Sequence, residues 1–228
     1  MGTSRRRSPR RARARLAAAV VPVALGIAAC GGDTSESTVT SPPTTLVPPC
    51  SVERHVVALD VFGTASLSDD DTAAWIADPA TAPAPRPGAA ELTATYRTLG
   101  YEVLYMTTTP DDIVIGDIPL TDALVGWLDA NGFPTGDGTR LWVWDGDHTA
   151  LSAISRELGR VTDSGATLAA AYTDNEDKAF AFKTDVPSDQ VFTLGAGAST
   201  PGTTPVAGDD MQAHAAEVAG TDPVCAPG

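Results

Sequence analysis

The sequence predicts an α/β domain in which a parallel sheet is covered by helices on both faces, and three observations carry that expectation. Short apolar runs of strand length alternate along the chain with longer stretches whose apolar residues recur at helical spacing. The strand-type runs, such as His55–Leu59 and Glu102–Met106, are nearly continuous in their apolar residues, as strands buried on both faces are. Asp60, Thr107 and Asp177 each follow an apolar run, and in such a sheet ligands sit outside the carboxyl ends of the strands.

The first 29 residues are expected to stay outside that domain. Seven arginines lie between residues 5 and 15, and Leu16 to Ala29 is apolar or small throughout. The apolar run is shorter than the ~20 residues that span a bilayer, so the order reads as a signal peptide. Its end, Ile27-Ala28-Ala29-Cys30, reads as a lipobox, with Cys30 diacylated and the chain exported and anchored to the extracytoplasmic face of the membrane. Residues 30–49 then form a Ser/Thr/Pro-rich tether with little to bury, and residues 50–228 form the α/β domain. Of 15 basic residues the signal takes seven and no acid, leaving eight against 29 acidic ones. So acidic a surface disfavours nucleic acid and anionic lipid headgroups as general partners. Cys50 and Cys225 stand near the two ends of the domain, and export makes a disulfide between them the expectation.

Along the domain, His55–Leu59 is the first strand and ends on Asp60. Residues 67–88 read as a loop-rich insert with an acidic run and several prolines. Ala89–Leu99 is a helix closed by Gly100, with Leu92, Tyr96 and Leu99 on one face. Glu102–Met106 is a strand leading into Thr107-Thr108-Thr109, and Pro119–Ala130 is a helix with Leu120, Leu124 and Leu128 in a stripe. Leu141–Trp144 is the third strand, in which Trp142 and Trp144 read as core. Asp145-Gly146-Asp147-His148 reads as a turn leading into a helix over Thr149–Val161 rather than as a cation site. Leu168–Tyr172 is the fourth strand, followed by an acidic turn and a short helix, and Val191–Leu194 is the fifth. A Gly/Thr/Pro loop and a helix over Asp209–Val218 complete the domain.

The sharpest local feature is Asp60-Val61-Phe62-Gly63-Thr64. A carboxylate after a buried strand, followed by a Gly-Thr turn, aims a nucleophile into a cleft where backbone N–H groups hold a phosphate. This resembles the first motif of the haloacid dehalogenase (HAD) superfamily. The resemblance runs from about His55 to Leu194, through Pro87-Gly88, the stretch Gly100 to Thr107, and Tyr172 to Leu194. Within that superfamily it is most similar to the phosphatase-like C-terminal domain of lipins and of Nir/RdgB-type phosphatidylinositol transfer proteins. The resemblance implies a Rossmann-type fold without a large cap. It implies Asp60 as nucleophile and Mg²⁺ ligand, and the Phe62 carbonyl as a second Mg²⁺ ligand. It also implies Asp177 as metal anchor, with Gly63, Thr64 and Thr107 binding the phosphoryl group. Asp174 and Glu176 read instead as the solvated acidic start of a helix.

Two departures from the family pattern shape the functional expectation. Phe62 stands where the phosphatases carry a second aspartate, the general acid and base, whose contribution is typically ~10²–10⁴-fold. The family's lysine is expected between Thr149 and Arg160, but the only lysines are Lys178 and Lys183. Arg156 and Arg160, in that stretch, read as exposed helix positions. The expectation is therefore a surface-anchored domain, catalytically weak or inactive, that binds a cation or a phosphorylated ligand or engages a surface protein. A Mg²⁺-dependent phosphohydrolase using Asp60 is the alternative. A hydrolytic dehalogenase, suggested by the aromatic at Phe62, ranks below both because it needs the same lysine and a cationic halide cradle.

Overall fold

The computed structural model describes residues 53–66 and 70–224. Cys30, Cys50 and Cys225, and with them the expectations of lipidation and a disulfide, lie outside the described residues. Six strands form one sheet: β1 (Arg54–Asp60), β2 (Glu102–Pro110), β5 (Thr139–Trp144), β6 (Ala166–Thr173), β7 (Val191–Thr193) and β8 (Thr204–Pro205). Their spatial order is β5-β2-β1-β6-β7-β8, and every pairing is parallel. The order reverses at β1, which makes the carboxyl end of that strand the place where flanking connections part and a crevice forms.

Alternation along the strands builds two cores. Val57, Leu59, Val103, Tyr105, Ala170 and Tyr172 face one layer, formed by α2 (Ala89–Thr98), α3 (Leu120–Ala130) and α6 (Met211–Ala219). Val56, Ala58, Leu104, Met106, Leu168 and Ala171 face the other, formed by α4 (Ala150–Asp163) and α5 (Glu176–Phe182). Both faces are thus covered, which is why the strand sequences lack a polar alternation. The α4 helix supplies Ile154, Leu158 and Val161 to its core, and Thr149 caps it by accepting from the Ser152 N–H at 3.3 Å.

The structure extends or adds elements where composition misleads. The triple threonine continues β2 to Pro110, since β-branched residues suit extended backbone. Within the insert, Asp70–Ala77 forms helix α1. A two-residue hairpin, β3 (Val114–Ile115) with β4 (Ile118–Pro119), precedes α3; Gly116 supplies the positive φ its turn needs. β8 arises inside the stretch read as a Gly/Thr/Pro loop, where Val206 N–H donates to the Thr193 carbonyl at 2.9 Å. No helix among the described residues is long and apolar enough to cross a membrane.

Candidate functional site

Asp60 ends β1, and its side chain shares the sheet face of Val56 and Ala58 by simple alternation. That face is the one α5 covers, so Asp60 meets α5 rather than open solvent. Lys178, in the first turn of α5, places its ammonium 2.8 Å from Asp60 Oδ2. The pair is sealed: the lysine side chain is 9% exposed and the aspartate 2%. Thr173, at the end of β6 and on the same face as Ala171, donates its hydroxyl to the same Oδ2 at 3.1 Å. Thr173 Oγ1 also accepts from the Asn175 N–H, and Asn175 Oδ1 accepts from the Lys178 N–H at 3.1 Å. The acidic turn after β6 therefore fixes both the start of α5 and the position of its lysine.

A lysine does stand beside Asp60, although the stretch in which the family pattern placed one holds none. It arrives from α5, the next helix along the chain. The signal was present in the sequence: Lys178 lies four residues before Phe182, on the buried side of the helix with Ala179 and Ala181. A lone lysine on an apolar helix face calls for a buried carboxylate, because an unpaired charge there is too costly.

The turn after Asp60 is tight. Phe62 is extended (φ −85°, ψ 130°) and Gly63 is left-handed (φ 83°). Gly63 N–H donates to Ser66 Oγ at 3.1 Å, and Arg86 Nη2 from the insert donates to the Gly63 carbonyl at 2.6 Å. The Phe62 side chain is buried in the core shared by α2, α3 and α6, so this position presents no acid or base to the crevice. Thr64 is fully buried, and its Oγ1 has no hydrogen-bond partner among the described residues. Thr107 is also buried, one residue beyond the Asp60–Met106 pairing, and its hydroxyl oxygen accepts from the Thr109 N–H at 3.1 Å. By alternation Thr107 falls on the sheet face opposite that of Asp60.

The structure separates the two acids of the post-β6 turn. Asp177 is exposed on the first turn of α5. Asp174 instead lays its carboxylate against the turn after β1: a Cβ built on Gly63 would lie 2.2 Å from the Asp174 oxygens. Asp174, read from sequence as a solvated helix start, is thus the carboxylate nearest the Asp60 turn. Its chain position, immediately after the buried Thr173, is what brings it there. Of the ligand set implied for Mg²⁺, Asp60 is buried with its Oδ2 beside the Lys178 ammonium, and Asp177 is exposed on α5. Among the described residues no group of three or more His, Cys, Asp or Glu side chains is clustered as a metal site. Asp145 and Asp147 form a local turn, in which the Asp147 N–H donates to Asp145 Oδ1 at 3.0 Å.

No protein-family model and no curated protein sequence matches this chain. Solved structures do. The chain is similar to D,D-heptose 1,7-bisphosphate phosphatase from B. bronchiseptica, a structure complexed with magnesium and phosphate, at 16% identity and a TM-score of 0.52. That match covers 72% of this chain and 97% of the phosphatase. The corresponding enzyme from Burkholderia thailandensis is 16% identical, with 74% and 100% covered and a TM-score of 0.47. At this identity the first likeness establishes the fold: a HAD-like, Rossmann-type α/β sheet with helices on both faces.

Proposed function

We propose that this chain is a lipid-anchored extracytoplasmic binding module on a phosphatase-like HAD fold, engaging a phosphorylated ligand at the strand-end turn with little or no turnover. The observation that carries the reading is the Phe62 side chain, buried in the core at the position where the family's phosphatases carry a second aspartate. With Phe62 in the core, no group at that position protonates a leaving oxygen, a contribution of typically ~10²–10⁴-fold. The Thr64 hydroxyl supports a ligand at the turn, because a buried polar atom without an internal partner calls for an outside one. The phosphatase fold of the solved relative supports the phosphoryl class of that ligand. Anchoring through Cys30 rests on the lipobox-like sequence before it.

A Mg²⁺-dependent phosphohydrolase is the second reading, favoured by the Asp174 carboxylate lying against Gly63. The test is phosphate release by the purified full chain over phosphatidate and small phosphomonoesters, with and without Mg²⁺, beside Asp60→Asn. The expected result is no release above that variant, and no rise in melting temperature at millimolar Mg²⁺. Metal-dependent release abolished by Asp60→Asn replaces the binding-module reading with the enzyme.

A further inference from the structure

The amino ends of the strands carry a second polar site that the strand-end chemistry does not use. A cavity of about 360 Å³ opens there between β1, β2, β5 and the end of α4. Its walls include Arg54 at the start of β1, Glu102 at the start of β2, Arg140 near the start of β5, and Arg160 and Ser164 at the end of α4. Three of the eight basic residues that follow the signal arginines therefore converge on one cavity of a strongly acidic chain.

The guanidiniums are held in place but not exhausted. Glu102 accepts from Arg54 Nε and Nη2 at 2.7 and 2.6 Å, and Arg54 Nη1 reaches Ser164 Oγ at 3.4 Å. Glu157, buried behind the cavity, accepts from Arg140 Nη2 at 2.7 Å and from Arg160 Nη1 at 3.2 Å. A guanidinium carries five N–H donors. Among the described residues these bonds use three of Arg54's donors and one each of Arg140's and Arg160's. The two glutamates act as struts that orient the forks, and the three arginines outnumber them, so the cavity keeps a net positive charge. The arginine side chains are 41%, 56% and 65% exposed, which leaves the remaining donors within reach of solvent and solutes.

We infer that this cavity binds a phosphate-bearing anion. Planar forks fixed by carboxylate struts match the tetrahedral oxygens of phosphate in paired hydrogen bonds. The volume admits a phosphate with an organic substituent. β1 is seven residues long, so the cavity lies roughly 20 Å from Asp60 at ~3.3 Å per residue. It is a separate site and does not rest on the strand-end reading.

The test titrates the full chain with inorganic phosphate, glycerol 3-phosphate and a short-chain phosphatidylglycerol, following backbone amide and arginine side-chain resonances. Saturable shifts at Gly138, Arg140 and Ser164 are expected, and Arg54→Gln and Arg160→Gln should each weaken binding at least about tenfold. Tighter binding of the dianionic monoester assigns a soluble phosphate ester as the ligand; equal binding of the diester lipid assigns a headgroup. Either result supports the site. Shifts confined to Thr64, Thr107 and Lys178, or no saturable shift at millimolar ligand, overturn it. The wild-type shift map answers the question even if a variant fails to fold.

Discussion

The two ends of β1 carry the same chemistry in opposite settings. At the carboxyl end one ammonium meets one carboxylate in a sealed interior, and a threonine hydroxyl completes the contact. At the amino end Arg54 meets Glu102 through two short hydrogen bonds, yet the side chains are 41% and 25% exposed. Solvent decides what each pair does. A sealed pair is strongly bound to its own geometry, because either partner alone would be an unpaired charge in a poorly polarisable medium. An open pair is worth little to stability and leaves its donors available for exchange with solutes. The charge pair at the end of the sheet that looks catalytic in sequence is the buried one, and the pair at the end with no recognisable motif is the one open to solvent.

The comparison is sharpest in the unfolding free energy. Asp60→Ala removes the buried carboxylate to which Lys178 donates and is expected to cost about 3–5 kcal/mol in urea unfolding. Replacing both partners, Asp60→Asn with Lys178→Met, should recover most of that loss; a double variant as unstable as Asp60→Ala would show that the pair is not the unit that matters. Gly63→Ala comes next. It combines a left-handed backbone, worth roughly 1–2 kcal/mol against a non-glycine residue, with the approach of the Asp174 carboxylate to the new Cβ. A melting temperature equal to that of the parent would mean that the turn after β1 can relax.

The smallest effect is expected at the open end. Arg54→Gln should cost no more than about 1 kcal/mol. Its signature is a pH dependence. Hydrogen bonding to Arg54, above all, holds the Glu102 carboxyl below its ordinary value of 4.5. A depressed folded-state value means that the stabilisation is fully present above the ordinary value and is lost as pH falls through the lower, folded one. Stability measured from pH 6 down to pH 3 should therefore decline less steeply in Arg54→Gln than in the parent. Parallel declines would place the linkage on other carboxylates.

Most of the architecture was legible because it follows from period and punctuation. The strand cores at His55–Leu59 and Leu168–Tyr172 are runs too apolar to face water. The helices at Ala89 and Thr149 begin and end where caps and glycines place them. What escaped were elements sustained by tertiary pairing alone: two-residue strands such as β8 have no periodicity to detect. The turn Asp60-Val61-Phe62-Gly63-Thr64 was visible as a ligand-type turn, but its partner was not. Lys178 reaches Asp60 across 118 positions of sequence, through the pairing of β6 with β1 and the packing of α5 over both. The choice between Asp174 and Asp177 turned on one helical cap, since Asn175 starts α5 and so leaves Asp177 on its outer side. The arginine cavity joins residues from four elements and has no linear pattern at all.

The sheet also ends differently on its two sides. β8 is two residues long and closes on Pro205, which lacks an N–H, so backbone pairing cannot continue outward from that residue. β5 on the other side runs for six residues, Thr139–Trp144, and is only partly buried. Self-association of a destabilised molecule, whether in a crowded periphery or a concentrated preparation, therefore has a direction: it grows through the tryptophan-bearing flank, while the proline side is already blunt.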